Sequence, residues 1–89
     1  MSPTDTNQAS EDGDQYFETT DLGLSTTIVT LGFRLHSLDR SNPSRVKFVF
    51  RREDKLEDTV RAYWQKELSV EPLSYFNNIK LMKNRIYSR

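Results

Sequence analysis

Few side chains in this sequence have the chemistry or the spacing of a catalytic site. His36 is the single histidine and there is no cysteine, so a metal site would need carboxylate ligands, of which only Asp39 is near in the chain. Ser37 follows His36, but adjacent strand residues point to opposite faces, so they cannot form a nucleophile–base pair. The three glycines are scattered and form no phosphate-binding loop. We therefore predict a protein that is not an enzyme and uses no cofactor, metal or small-molecule substrate, with His36 on the solvent face of a strand.

Lysine and arginine residues give the strongest functional signal. Residues 1–33 contain six acidic residues and no lysine or arginine, whereas residues 34–89 contain thirteen basic and seven acidic residues, a balance of 13 − 7 = +6. The formal net charge of zero therefore hides two segments of opposite character. Several cations on one surface bind nucleic-acid phosphates, because each displaces condensed counterions. The candidate contacts are Arg45, Lys47, Arg51 and Arg52 in and after a predicted strand, and Lys80, Lys83, Arg85 and Arg89 in the last predicted helix.

The basic residues of the last helix also have a simpler interpretation. Cations near a helix C-terminus stabilise the helix dipole without binding anything. At 100° per residue, Arg85 and Arg89 lie more than roughly 100° from Lys80 and Lys83. The helix therefore has basic flanks and no single basic stripe.

Two further pairs are candidates for recognition. Asp39 and Arg40 fall in a predicted hairpin loop, where binding residues are common. Alternatively, Asp39 holds the turn through its own backbone and Arg40 pairs locally or is solvated. Tyr63 and Trp64 could stack on bases or anchor a protein partner. Trp64 lies on the apolar side of a predicted helix, so we expect it in the core.

Hydrophobic periodicity predicts three strands and three helices. Alternation predicts strands at residues 33–38 and 46–51, joined by a loop rich in turn formers, and a short third strand at residues 15–18. Residues 18–21 have side chains that suit the capping of a helix start, with Asp21 as an acid suited to its first turn. Gly32 suits a helix end, although the β-branched residues 26–30 fit a strand nearly as well. Asp54 and Glu57 have the spacing of a capping box before a second helix. Pro72 suits the first residue of a third helix.

These elements predict an α+β fold for residues 15–89, a small two-layer domain of order β-α-β-β-α-α with a two- or three-stranded sheet covered by helices. The residues expected in the core share the apolar faces of the predicted elements. They are Phe17, Leu22, Ile28, Phe33, Leu35, Val46, Phe48, Phe50, Leu56, Val60, Trp64, Leu68, Phe76, Ile79 and Ile86. Truncation of Trp64 or Phe48 to alanine is expected to cost roughly 3–5 kcal/mol.

The first fourteen residues differ in composition from the rest of the chain. Met1 and Ala9 are their only apolar side chains, so burial cannot offset the entropy of ordering them, and we predict a disordered acidic tail at residues 1–14. Such a tail can compete with phosphate for the basic residues or simply improve solubility. The sequence shows no signal peptide and no membrane span, and the lack of cysteine is typical of a cytoplasmic protein.

Several short stretches are familiar in their order. They are Tyr16-Phe17-x-Thr19-Thr20-Asp21-Leu22, Leu38-Asp39-Arg40, Phe48-Val49-Phe50 and Ala62-Tyr63-Trp64. With them, residues 15–89 resemble a family of small, uncharacterised bacterial domains that is classed as a domain of unknown function. No activity is established for that family, so the resemblance implies no catalytic or ligand-binding residue.

Two functions remain as hypotheses. The first is a non-enzymatic, nucleic-acid-binding accessory domain with an acidic tail, which follows from the basic segment. The second is a protein-interaction or homodimerisation module without nucleic-acid contact, in which an open sheet edge or face pairs with a partner.

Overall fold

The strands and helices of the protein follow the predicted order. The structure, a computed structural model, describes residues 15–88. The tail predicted at residues 1–14 and the candidate contact Arg89 lie outside the described residues. The elements are β1 (Tyr16–Thr19), α1 (Leu22–Thr30), β2 (Leu35–Asp39), β3 (Lys47–Arg51), α2 (Leu56–Trp64) and α3 (Pro72–Tyr87). The α+β class and the order β-α-β-β-α-α are confirmed.

The three strands form one antiparallel sheet in the order β1-β3-β2. The third strand that the sequence allowed is therefore present at one edge, and β3 is central. Phe50 of β3 lies between Phe17 of β1 and Leu35 of β2 in the register, and Phe48 points to the same side two residues away. The helices pack on this side and bury both phenylalanines.

Helix α1 forms despite its β-branched residues. The Asp21 carboxylate accepts a hydrogen bond from the Leu24 N–H at 2.8 Å and so caps the helix start. The threonine hydroxyls of the helix donate back to carbonyls four residues earlier, which satisfies them inside the fold. These bonds run from Thr26 to Leu22, from Thr27 to Gly23 and from Thr30 to Thr26. Residues 24–28 are all buried, so packing on every side outweighs the strand preference.

The C-terminus of α1 ends in a Schellman turn at Gly32. Gly32 has a φ of +105°, a left-handed conformation that favours glycine. Its N–H donates to the Val29 carbonyl at 3.0 Å, and the Phe33 N–H donates to the Ile28 carbonyl at 3.2 Å. Phe33 then packs against the core. The helix end predicted from Gly32 is therefore confirmed.

The starts of α2 and α3 differ from each other in how well the sequence predicted them. The capping box of Asp54 and Glu57 is wrong, because the N-cap is Lys55, in a left-handed conformation, and no side chain caps the helix. Glu57 is therefore one residue too early for that motif and pairs with Arg52 instead. Pro72 is the first residue of α3, as predicted. The Glu71 carboxylate accepts from the main-chain N–H groups of residues 73 and 74.

The hydrophobic core is smaller than the sequence predicted. Its fully buried cluster is Leu24, Ile28, Phe48, Phe50, Leu56 and Met82. The prediction is wrong for Trp64 and Phe76, which are 59% and 56% exposed. Helix α2 ends at Trp64, so no further turn covers the indole. In α3 the buried side is centred on Met82, about 120° around the helix from Phe76.

Candidate nucleic-acid interface

The side of the sheet that faces away from the helices has exposed residues around the buried Val49 of its central strand. Strand pairing places its residues, since directly paired residues share a face. We call this surface the open face; its residues are Tyr16, Glu18, His36, Ser37, Asp39, Lys47, Val49 and Arg51. Within residues 15–88, the core cluster draws its sheet residues only from the opposite side. Within residues 15–88, the open face is therefore the side of the sheet that does not pack on the core cluster.

Three side chains of different strands converge at one end of the open face. The rings of Tyr16 and His36 have centroids 4.8 Å apart with planes tilted by 38°. The Arg51 guanidinium carbon lies 6.0 Å from the Tyr16 ring centroid. Tyr16 and Arg51 are direct partners in the β1–β3 register. This Tyr16–His36–Arg51 cluster joins two aromatic rings to one cation, the combination that stacks bases and contacts phosphate.

An irregularity in β2 brings His36 into the cluster. The pairing of β2 with β3 shifts register between Leu35 and Ser37. A bulge adds a residue to one strand and re-aims a side chain. His36 is that extra residue, and its exposed ring lies against Tyr16 across the central strand. The predicted solvent-facing position of His36 is therefore confirmed.

The opposite end of the open face is charge-paired. Lys47 lies 3.7 Å from the Glu18 carboxylate, with both side chains about half exposed. Asp39 is the direct β2 partner of Lys47. The pKa of Asp39 is lowered, mainly because the Ser41 N–H and hydroxyl bond to the carboxylate, with a further contribution from the Lys47 charge. Cationic character therefore concentrates at the Arg51 end of the face.

The two loop residues singled out for recognition have partners inside the fold. Asp39 accepts a hydrogen bond from the Ser41 N–H at 3.0 Å, which holds the turn. Arg40 donates to the carbonyls of Arg85 and Ile86 at the end of α3. The last carbonyls of a helix have no N–H partner within that helix, so the Arg40 side chain caps the C-terminus of α3. A recognition role for this pair stays a prediction.

The other predicted basic residues do not form one surface. Arg45, at the start of the β3 segment, lies 3.4 Å from the Thr20 hydroxyl. Arg52, just past the other end, pairs with Glu57 at 2.6 Å. Lys80 lies over the Phe76 ring at 4.7 Å, and Lys83 and Arg85 are exposed on the same helix. Only Lys47 and Arg51 belong to the open face, whereas the α3 residues lie in the helical layer.

Sequence reasoning missed Tyr16 as a site residue. The available signal was that Tyr16 and Phe17 are neighbours in a short predicted strand. Neighbouring strand residues point to opposite faces, so with Phe17 in the core Tyr16 is predicted on the other face. The cross-strand register and the β2 bulge, which bring Tyr16, His36 and Arg51 together, cannot be read from hydrophobic periodicity.

Trp64 forms a second exposed aromatic feature, on the helical layer. Its ring meets Tyr63 edge to face, with centroids 5.0 Å apart at 85°. It lines a groove of about 420 Å³ with Leu68 and Val70. The Tyr63 hydroxyl turns toward α1, and burial raises the pKa of Tyr63, with Asp21 and Tyr75 adding to the shift. This feature is separate from the open face.

The sequence places the chain in a known family. Residues 14–88 match the family described as Domain of unknown function (DUF5659). The match spans most of the 89 residues, so the chain belongs to this family. No curated protein and no solved structure matches the chain. Among residues 15–88, none of the helices has both the length and the apolar character that crossing a membrane requires.

Proposed function

We propose that the protein is a non-enzymatic module that binds single-stranded nucleic acid on the open face. Tyr16 and His36 stack on bases, and Arg51 contacts an adjacent phosphate. The observation that carries this proposal is the contact between the Tyr16 and His36 rings at 4.8 Å with Arg51 over Tyr16. Bases of a duplex are hidden in its stack, whereas a single strand presents them to aromatic side chains on a sheet.

The charge around the cluster supports a phosphate contact. Within residues 15–88, Arg51 has no carboxylate partner. Its guanidinium therefore keeps its donors for a ligand, and guanidinium groups bind phosphate with bidentate geometry. The paired Lys47 and Glu18 at the other end leave little net charge there. A bound strand is expected to place its phosphates toward Arg51.

The cluster has two aromatic rings, Tyr16 and His36, so we expect about two stacked bases, each contributing roughly 1–3 kcal/mol of binding free energy. The proposal includes the acidic segment at residues 1–14 as a competitor for the same cations, because its carboxylates are joined to the chain just before Tyr16. It also includes a bacterial setting, which the family resemblance implies, and a cytoplasmic one, for which the lack of cysteine is the sequence support.

Fluorescence anisotropy with a labelled twelve-nucleotide oligouridine tests the proposal. His36→Ala and Arg51→Gln should each weaken binding roughly tenfold, and both change exposed residues. Arg61→Gln is the matched control, since Arg61 is an exposed arginine on α2 that is not part of the open face. Deletion of residues 1–14 should tighten binding. If neither the full chain nor the chain without residues 1–14 binds the oligonucleotide at low salt, the proposal is wrong. If only Lys80→Gln or Lys83→Gln loses binding, the site lies on α3.

A second candidate function is a protein-interaction module, and α3 provides its support. Leu73, Phe76 and Tyr87 are 64%, 56% and 78% exposed. They fall within about 60° of arc on the helix. An exposed apolar stripe is typical of a contact with another protein or a second copy. Light scattering at high concentration tests the homodimer version of this candidate. A monomeric parent chain excludes the homodimer, and a dimer that is lost in Phe76→Gln favours it.

A further inference from the structure

A groove between α1, β2 and α3 is separate from the open face. The end of α1 and the Gly32 turn form one wall, the start of β2 another, and the second half of α3 the third. Its volume is about 580 Å³, within the roughly 300–1,000 Å³ typical of small-molecule sites. Asn78 donates to the Thr30 hydroxyl at 3.0 Å and ties α3 to α1 beside it.

The floor of the groove is apolar. Val29, Phe33, Leu35 and Met82 supply it, and Leu81 adds an apolar rim that is 58% exposed. A Cβ atom placed on Gly32 would meet nothing within 4 Å. Gly32 therefore borders open space, and an apolar group that entered the groove would cover the exposed parts of Phe33, Leu35 and Leu81.

The charged residues of the groove have one sign. Of the described residues that line it, Arg34 and Arg85 are charged and none is acidic. Within residues 15–88 neither guanidinium has a hydrogen bond or an ion pair. The main-chain carbonyl of Arg85 is used by Arg40, which fixes the helix end but leaves the Arg85 side chain available. Two cations beside an apolar floor are complementary to a molecule with an apolar body and an anionic end.

We propose that this groove binds a small anionic amphiphile, a molecule with a medium-length apolar chain and a terminal carboxylate or phosphate. The chain lies on Phe33, Leu35 and Met82, and the anion lies between Arg34 and Arg85. No reaction of the ligand is involved. The site is independent of nucleic-acid binding on the open face, since the two surfaces share no residue.

Nuclear magnetic resonance titration of the full ¹⁵N-labelled chain tests this site with octanoate and with 1-octanol, a neutral molecule of equal chain length. Octanoate should shift the amide signals of residues 29–35 and 81–88. The double variant Arg34→Gln, Arg85→Gln should weaken octanoate binding roughly tenfold and leave 1-octanol binding unchanged. Leu81→Gln should weaken both ligands, because it removes apolar rim from the site.

Lys83→Gln is the matched control, since it removes a cation from the same helix outside the groove. The four substituted residues are all exposed, namely Arg34, Leu81, Lys83 and Arg85. The signal dispersion of each variant reports whether it folds. Three results would overturn the proposal. They are the absence of octanoate shifts at millimolar concentration, shifts confined to another surface, and unchanged octanoate affinity in the folded double variant.

Discussion

The guanidinium of Arg40 donates to the Ile86 carbonyl across 46 residues of sequence, at 2.8 Å. A second donor of the same group reaches the Arg85 carbonyl. The β2–β3 loop is therefore fastened to the last turn of α3. One residue that looks available for recognition in the sequence thus supplies the C-terminal cap of the longest helix.

Replacement of Arg40 by glutamine should destabilise the protein by about 1 kcal/mol, because two terminal carbonyls lose a charged donor at an exposed site. The free energy of unfolding in urea measures this effect. Arg45→Gln is the control, since its single bond to Thr20 is long at 3.4 Å. Equal stability of the two variants would show that the Arg40 contact contributes nothing.

Phe48→Ala should destabilise the protein by roughly 3–5 kcal/mol, because Phe48 is 1% exposed and its removal leaves a cavity. Trp64→Ala should cost only about 1 kcal/mol, since more than half of the side chain is already in water. Thermal unfolding followed by circular dichroism compares the two. A larger loss in Trp64→Ala than in Phe48→Ala is the contrary result.

Gly23→Ala and Tyr63→Phe should interact. A Cβ on Gly23 would lie 2.9 Å from the Tyr63 hydroxyl oxygen, which is closer than real contacts allow. Alanine is otherwise favoured over glycine in a helix, by about 1 kcal/mol in the interior and by less in the first turn, where Gly23 lies. Gly23→Ala should therefore stabilise the Tyr63→Phe variant by less than about 1 kcal/mol and stabilise the parent less still. Chemical denaturation of all four chains measures the coupling, and additive effects would argue against the steric contact.

The Glu71 cap should make α3 sensitive to acid. Main-chain and hydroxyl donors of Ser74, with the Leu73 N–H, hold the pKa of Glu71 below its ordinary value of 4.5. A depressed carboxyl pKa stabilises the fold fully above the ordinary value, and this contribution is lost as the pH falls through the lowered pKa. The stability of Glu71→Gln should therefore depend less on pH below 4.5 than that of the parent. Unfolding midpoints from pH 7 downward measure this, and parallel curves are the contrary result.

The sequence predicted those features that depend on local chemistry. The turn at Gly32 and the first α3 residue at Pro72 follow from residue type, and the structure has them, whereas Asp21, expected as an acid of the first turn, is the N-cap of α1. The order of strands and helices follows from periodicity in the same way. Local rules were less useful where tertiary packing decides, as for Trp64, which lies at the end of α2, and for Phe76, whose helix presents another side to the core.

The candidate site was only partly predictable for a related reason. Arg51 was identified by charge, and His36 was expected on a solvent face. Their meeting with Tyr16 depends on a strand order in which β3 lies between its neighbours and on a register shift in β2. Neither has a signature in a single sequence, since register is set by the packing of the whole sheet. The packing of the whole fold also determines that the α3 cations lie in the helical layer, away from the open face.

The most direct measurement of the proposed function is a nuclear magnetic resonance titration of the ¹⁵N-labelled chain with oligouridine at 50 mM and 200 mM salt. The open-face proposal predicts signal shifts at Tyr16, His36 and Arg51 at low salt, with affinity about two- to threefold lower at high salt for the one phosphate that Arg51 contacts. Arg51→Gln should abolish most of the shift. Shifts confined to Lys80 and Lys83 on α3, or no shifts at low salt, would contradict nucleic-acid binding on the open face.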